Sequence, residues 1–390
     1  MRGTTLVTGA DGYVGRRVAD ALLKAGDDRL VLALRACDAA ELAAKREALL
    51  RALAPVACGR ISFVAADLRR DGALDQVDRR AVTRIVHAAA VTRFNVDRDV
   101  ARRVNVEGTN RLVGFAARCD NLRRLVLLST LYSAGRRSGE VAEQRHSEVG
   151  FANHYEWSKW AAEEQVLTVT DLPVSVLRLP TIVADGDGGQ VAQYNAFHNT
   201  MKLYFYGLLS LVPGNPSTPV SLATAAFTTS AIIHLMDQAS TEGIYHVCPD
   251  PAHTPTLDQL IKTAFAVFER DDQFRRRQVL SPTYCDEESF DDLVAAASRF
   301  RGGGPIQESL ASVASFGTQL YLSKTFRNET LRASWPGYRA PHPVALVEAV
   351  CEHLVATRWG RQHPSIGAAS RAASGPATRQ RRGLQRACTA

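Results

Sequence analysis

The sequence predicts an α/β protein: an open, doubly wound sheet of parallel strands followed by a smaller, mainly helical substrate domain. Three observations carry that expectation. Short apolar runs recur at residues 4–8, 29–34, 61–65, 84–87, 124–128 and 174–177. Each is leucine-rich or β-branched, and near-continuous apolarity over four to six residues marks a strand buried on both faces of a parallel sheet. Segments readable as helices lie between them at 14–24, 40–53, 100–117 and 157–169, and a glycine-rich turn joins the first strand to the first helix. Such alternation places ligands at the carboxyl ends of the strands.

The composition of the 390 residues, 46% hydrophobic, 22% charged and 7% aromatic, excludes a disordered, collagenous or disulfide-stapled chain. Single cores stop growing near roughly 250–300 residues, so an appendage is expected beside the main domain. The sheet domain is placed at residues 1–180, with a returning strand near 243–248. The pattern loosens after Pro180: a Gly/Asp-rich loop at 185–189, an aromatic segment ending near Leu211, a Pro/Gly turn at 213–216, and helices around 257–268, 290–300, 306–315 and 344–357. Residues 181–360 therefore read as a substrate-binding cap, and 361–390 as a disordered basic tail.

Of the net charge of +7, +6 resides in that tail, which carries six of the 47 basic side chains and no Asp or Glu; the first 360 residues hold 41 basic against 40 acidic groups. A basic end without interleaved aromatics is a solvated segment rather than a nucleic-acid grip. The seven cysteines are an odd, scattered set with no C-x-x-C, which reads as free thiols in a reducing compartment with no metal site. Met1 is followed almost at once by the first strand, and the longest uncharged apolar stretch, 203–212, is far shorter than the ~20 residues that span a bilayer. A cytoplasmic protein with no membrane span and no nucleic-acid partner is expected.

Gly9, Gly12 and Gly15 form G-x-x-G-x-x-G between the first strand and the first helix. Glycine is needed where the backbone must approach a pyrophosphate seated on a helix N-terminus. The second strand ends at Arg35, with no carboxylate where a ribose 2′-hydroxyl acceptor would sit; an arginine there suits a 2′-phosphate and favours NADPH. Asp67 and Leu68 follow the third strand. His87 closes the fourth, ahead of Ala88, Ala89 and Ala90, small side chains that leave space for a flat ligand; His87 itself is assigned packing and cofactor contact.

Ser129 and Thr130 end the fifth strand, and Tyr155 and Lys159 follow on a helix. Four residues bring two side chains onto one helical face. An ammonium beside a phenol stabilises tyrosinate and lowers a pKa that is ordinarily near 10, and a tyrosine so tuned passes a proton at neutral pH.

Together, residues 8–15, His87-Ala88-Ala89-Ala90, Asn105-Val106-Glu107-Gly108-Thr109, Ser129-Thr130 and the Tyr155…Lys159 pair resemble the extended short-chain dehydrogenases/reductases, a Rossmann-fold family, over residues 1–250. The chain looks most like the thioester reductase and fatty acyl reductase branch, through Leu34-Arg35-Ala36, residues 178–189, and Val212-Pro213-Gly214 before Pro219-Val220. That branch typically reads R-P-x-x-I-x-G-D-S-x-T-G where this chain has Leu179, Ala184, Gly186 and Gly188, and it usually carries an aspartate where Ala226 stands; these departures bear on the substrate.

The resemblance implies NADPH as hydride donor, held by Thr8, Gly9, Asp11, Gly12, Tyr13, Val14, Gly15, Arg35, Asp67, Leu68, His87, Ala88, Ala89, Asn105, Pro180, Thr181 and Ile182. Thr130, or Ser129 beside it, would bond the substrate carbonyl; Tyr155 would donate the proton; Lys159 would tune Tyr155 and hold the nicotinamide ribose; Asn105 would support the lysine through solvent. The implied reaction reduces an acyl thioester, presented on coenzyme A or a separate carrier protein, to an aldehyde or alcohol. A nucleotide-sugar epimerase or an alcohol/ketone oxidoreductase uses the same apparatus. A non-catalytic NADP-binding sensor usually lacks the Tyr-Lys pair. The aromatics Tyr194, Phe197, Tyr204, Phe205 and Tyr206 are suited equally to an acyl pocket and to core packing.

Overall fold

The structure, a computed structural model, describes residues 3–53, 59–238, 242–298, 313–314 and 316–361. The expected tail and most of the expected helix at 306–315 lie outside the described residues.

Seven parallel strands form the central sheet: β1 (Thr4–Thr8), β2 (Arg29–Leu34), β3 (Ile61–Ala65), β4 (Val82–His87), β5 (Arg124–Thr130), β6 (Val174–Leu179) and β7 (Gly243–His246). Their spatial order is β7-β6-β5-β4-β1-β2-β3. Every strand expected from the apolar runs is present. β1, β5 and β6 are buried at every position, as strands covered on both faces must be. The order reverses between β1 and β4, where Thr8 is in register with both Ala33 and His87; a doubly wound sheet opens its ligand crevice at that point.

Successive β1 side chains divide the two cores, as the period of two requires. Val7 joins Val18, Leu22 and Leu49 from α1 (Tyr13–Ala25) and α2 (Ala39–Ala52). Leu6 joins Leu112, Phe115 and Val166 on the other face, from α3 (98–116) and α4 (His154–Leu167). Phe227 and Ile232 of α5 (Ala225–Asp237) return to the first face. The middle of α3 is a π-helical turn, Arg102–Glu107, a feature often found at functional sites.

Residues beyond Leu179 build a second core from helices Ala196–Phe205, Leu257–Phe268 and Pro343–Ala356, where Tyr204, Phe205, Phe268 and Trp359 are buried together. The last two lie within a residue of the helices expected at 257–268 and 344–357, and the first ends six residues before Leu211, where the aromatic segment is expected to end. Among the described residues no helix is long and apolar enough to cross a membrane, and no three potential metal ligands cluster.

Candidate active site

The turn after β1 is made of backbone. Gly9 has φ +67°, and a Cβ there would lie 2.7 Å from the Ala89 backbone; one on Gly15 would lie 2.2 Å from the Gly9 carbonyl oxygen. The Gly12 N–H donates to that oxygen at 3.0 Å. Gly12 also caps α1 and offers no side-chain acceptor, whereas Asp38, Asn153 and Thr224 cap α2, α4 and α5 with theirs. The first-turn N–H groups of α1 therefore keep the partial positive charge that binds anions.

A cavity of about 480 Å³ opens over this turn, bounded by Thr8, Gly9, Asp11 and Gly12, by Arg35, and by Asp67, Leu68, Ala88 and Ala89. Asp67 is claimed by Arg69 at 2.6 Å, and that bond holds its carboxyl below the usual range. Asp11 pairs with Lys45 at 3.2 Å. The Arg35 guanidinium is exposed on the wall, beside Arg69 and Arg93. His87 lies beneath the cavity rather than in its wall: its Nδ1 meets Thr8 Oγ1 at 2.7 Å and its Nε2 meets Thr109 Oγ1 at 3.0 Å. Burial, and then the charge of Lys159, lower its pKa to about 3, so it stays neutral. Packing is the part of its expected role that the structure brings out. Asn105, in the π turn, is fully enclosed; it accepts from Val91 N at 2.8 Å and donates to Val91 O at 3.0 Å and Ser158 Oγ at 2.9 Å. It thus reaches the residue before Lys159, not Lys159 itself.

A second cavity, about 400 Å³, shares Gly9, Gly12, Ala88 and Ala90 with the first and contains Thr130, Tyr155 and Lys159. The Tyr155 phenol is hydrogen-bonded to the Thr130 side chain, and burial outweighs that bond, pushing the phenol up to about 12. The Lys159 ammonium donates to the Leu128 carbonyl at 2.7 Å. Burial brings it down to about 8, opposed by the Glu163 carboxylate. Lys159 is expected from the four-residue spacing to lower the phenol pKa; in the structure desolvation dominates and the phenol rises. Ser129 and Thr130, alternatives in the sequence, separate: Thr130 joins Tyr155, while the Ser129 hydroxyl donates to Glu163. Glu163 and Arg178 form a buried pair at 2.7 Å, and Arg178 Nη1 also donates to His146 Nε2 at 2.7 Å and Gln144 O at 3.0 Å. Burial, then the Arg178 charge, keep His146 and His246 neutral, each lowered to about 3.

Val14, Gly15, Pro180, Thr181 and Ile182 close the same cavity. Thr181 Oγ1 meets Tyr132 OH at 3.1 Å, and Ile182 O accepts from Asn195 Nδ2 at 2.8 Å. Tyr13 OH donates to Asp185 at 2.5 Å, Arg17 pairs with the same carboxylate, and the Arg17 guanidinium lies 3.8 Å over the Tyr13 ring. Of the aromatics that sequence singled out, Phe197 lines the cavity, while Tyr204 and Phe205 belong to the second core. Phe94, Tyr132 and Phe316 also line it and were not foreseen; they lie far apart in the chain, with no shared spacing. Arg69 was missed as well, although it stands two residues after the expected Asp67.

A model of an NAD-binding family described as "Male sterility protein" matches residues 7–232. The chain belongs to that family. As a member it is an NAD(P)-dependent oxidoreductase, a reductase of the extended short-chain dehydrogenase/reductase type. It is 34% identical over 210 residues to "Isonitrile lipopeptide synthase" of Streptomyces coeruleorubidus, a match covering 50% of this chain and 14% of that protein. It is 40% identical over 63 residues to "Fatty acyl-CoA reductase 2, chloroplastic" of Arabidopsis thaliana, covering 16% of this chain and 10% of that one. The chain thus spans a small part of the curated relatives it matches. The fold is shared with the terminal R domain of the myxalamid PKS-NRPS biosynthetic pathway, at TM-score 0.72, 18% identity and 92% of each chain. It is shared too with the reductase domain of a nonribosomal peptide synthetase from Mycobacterium tuberculosis, at TM-score 0.67, 20% identity and 93% of each chain.

Proposed function

We propose that this oxidoreductase uses NADPH to reduce an acyl thioester, carried on coenzyme A or on a separate carrier protein, to an aldehyde or an alcohol. One observation carries the reading: Thr130, Tyr155 and Lys159 converge on a cavity continuous with a glycine-built cradle. The cradle fits a dinucleotide, because glycine at positions 9 and 15 lets the turn pack directly on the backbone of Ala88, Ala89 and Gly9 and the helix behind it offers uncapped N–H groups. In this reading the α1 N-terminus holds the pyrophosphate, Arg35 the 2′-phosphate, Lys159 the nicotinamide ribose, and Pro180 to Ile182 the nicotinamide. When bound, the dinucleotide supplies a hydride.

The protein's own groups do the rest. Thr130 fixes the carbonyl oxygen of the substrate by a hydrogen bond. Tyr155, its phenol at about 12, is fully protonated at neutral pH and donates a proton to that oxygen as charge develops on it. Lys159, at about 8, is charged at neutral pH and stabilises the tyrosinate left behind. Thioester reduction consumes one hydride and one proton and releases a thiol with the aldehyde; a second round gives the alcohol. The thioester reading is supported by the name of the Arabidopsis relative and by likeness to a thiolation-reductase di-domain from an archaeal non-ribosomal peptide synthetase, at TM-score 0.69 and 17% identity.

The test mixes the protein with NADPH and a panel of acyl-CoA thioesters, aldehydes and UDP-sugars, following NADPH absorbance and free thiol together. Thiol released in step with NADPH consumption is the expected result. Conversion of a UDP-sugar with no net loss of NADPH, and no thiol from any acyl-CoA, would overturn it in favour of an epimerase.

A further inference from the structure

The cavity at Tyr155 ends on an aromatic wall. Phe94 meets Tyr155 at 5.5 Å and Tyr132 at 5.8 Å edge to face and Phe316 at 5.7 Å in a tilted contact, and Tyr132 meets Phe316 edge to face at 5.6 Å. Behind the wall lies a second space of about 20 Å³, bounded by Val220, Leu320, Leu322 and Phe326, by the polar Gln319 and Lys324, and by Tyr132 and Phe316. It has room for about one water. Val220, Tyr132 and Phe316 border both spaces, so the partition between them is a few side chains thick.

One turn beyond Phe316, Gln319 enters a polar bridge that the proposed chemistry does not use. Its Nε2 donates to Glu156 Oε2 at 2.8 Å, and its Oε1 accepts from the Lys324 ammonium. Glu156 directly follows Tyr155 on α4; it is 0% exposed, and Gln319 and Lys324 are each 4% exposed. The Glu156 oxygens also accept from Ala152 N and Asn153 Nδ2, both at 3.0 Å. Burial raises the Glu156 carboxyl and lowers the Lys324 ammonium, and each opposes the other's shift through its charge. Burying a carboxylate and an ammonium is costly, and such groups repay the cost best when they fix one geometry among several. The bridge ties the segment that bears Phe316 to the helix that bears Tyr155.

We propose that Phe316 limits the length of the acyl chain by closing the void behind it, and that the Glu156–Gln319–Lys324 bridge holds Phe316 in place. The three bridge residues are positioning residues. The inference rests on Tyr155 being the reacting centre.

The experiment measures kcat/KM for butyryl-CoA and dodecanoyl-CoA, and for the matching aldehydes, in the full chain. Phe316→Ala joins the two spaces and raises the long-to-short ratio at least about tenfold, within the range that hydrophobic pockets achieve per methylene; Phe316→Trp lowers it. Gln319→Leu moves the ratio in the same direction as Phe316→Ala with the NADPH Kd unchanged, whereas a merely structural loss would lower all substrates alike. Glu156→Gln, which still accepts from Gln319, keeps the wild-type ratio. An unchanged ratio in Phe316→Ala, while Tyr155→Phe is inactive, overturns this inference alone. A wild-type ratio in a Gln319→Leu protein that melts normally removes the bridge from it. If Gln319→Leu does not fold, the two Phe316 variants decide. A fully active Tyr155→Phe, or a wild type that binds NADPH yet turns over none of these substrates, overturns the functional reading and this inference with it.

Discussion

The two halves of the groove are made of different material. The floor of the half around Gly9 is backbone, a glycine turn, an uncapped helix end and the ends of adjoining strands, with Arg35, Asp67 and Arg69 supplying side chains only on its wall. The half around Tyr155 is side chain, with Phe94, Tyr132, Phe197, Val220 and Phe316 supplied by separate segments. A backbone surface cannot yield to an added methyl, because nothing in it rotates away. A side-chain surface can lose a ring and remain a wall of different shape. The first half is therefore expected to fail outright under small substitutions, the second to change its preferences.

The strongest test lies at the proton donor of the second half. Tyr155→Phe should reduce turnover by the ~10²–10⁴ expected of a positioned acid while dinucleotide binding, followed by protein fluorescence, is retained; wild-type turnover would break the scheme. Gly15→Ala should come next. Its methyl meets the Gly9 carbonyl, and overpacking of that kind costs about 1–3 kcal/mol, visible as a lower Tm together with lost NADPH affinity. A Gly15→Ala protein that binds NADPH normally would show that the cradle gives way after all. Arg35→Asp should weaken NADPH more than about tenfold and spare NADH, the loss of one charge-assisted contact; equal losses in titrations of the two cofactors would take Arg35 out of the account. The mildest effect is in pH. The Lys159 cation is lost as pH rises through about 8, so kcat/KM should stand near half its plateau there and fall further above it, and Lys159→Arg should carry that limb upward. A profile flat to pH 10 would show that the charge is not needed.

The sheet was legible because burial on both faces leaves an apolar run with nothing to confuse it. β5 closes with Ser129 and Thr130 as expected, whereas the sixth run ends at Leu177 and β6 continues to Leu179. The added residues include Arg178, whose charge looks like a strand terminator until α4 brings Glu163 against it. The glycine turn and the Tyr155–Lys159 spacing were equally plain, being local. Whether Thr130 or Ser129 reaches Tyr155 was not, since it depends on which partner α4 presents. Nor was the rise in the phenol pKa, because desolvation is a property of the folded interior and has no local signature. The π turn around Asn105 left no mark in residue order either, and the aromatic wall draws on Phe94 and Phe316, which are far apart in the chain.

The seventh strand has a consequence for how the molecule is made. β7 is an edge of the sheet, and it pairs with β6, Gly243 beside Ser175. Until the ribosome has passed from Leu179 to Gly243, the six buried residues of β6 present one row of N–H and C=O groups to whatever strand arrives first. At roughly 5–20 residues per second that exposure lasts several seconds, during which the chain is already laying down the helix Ala196–Phe205 of its second core. A chain cut just before Gly243 would hold Thr130, Tyr155 and Lys159 complete and still leave that edge bare, so aggregation, not missing chemistry, would decide its fate.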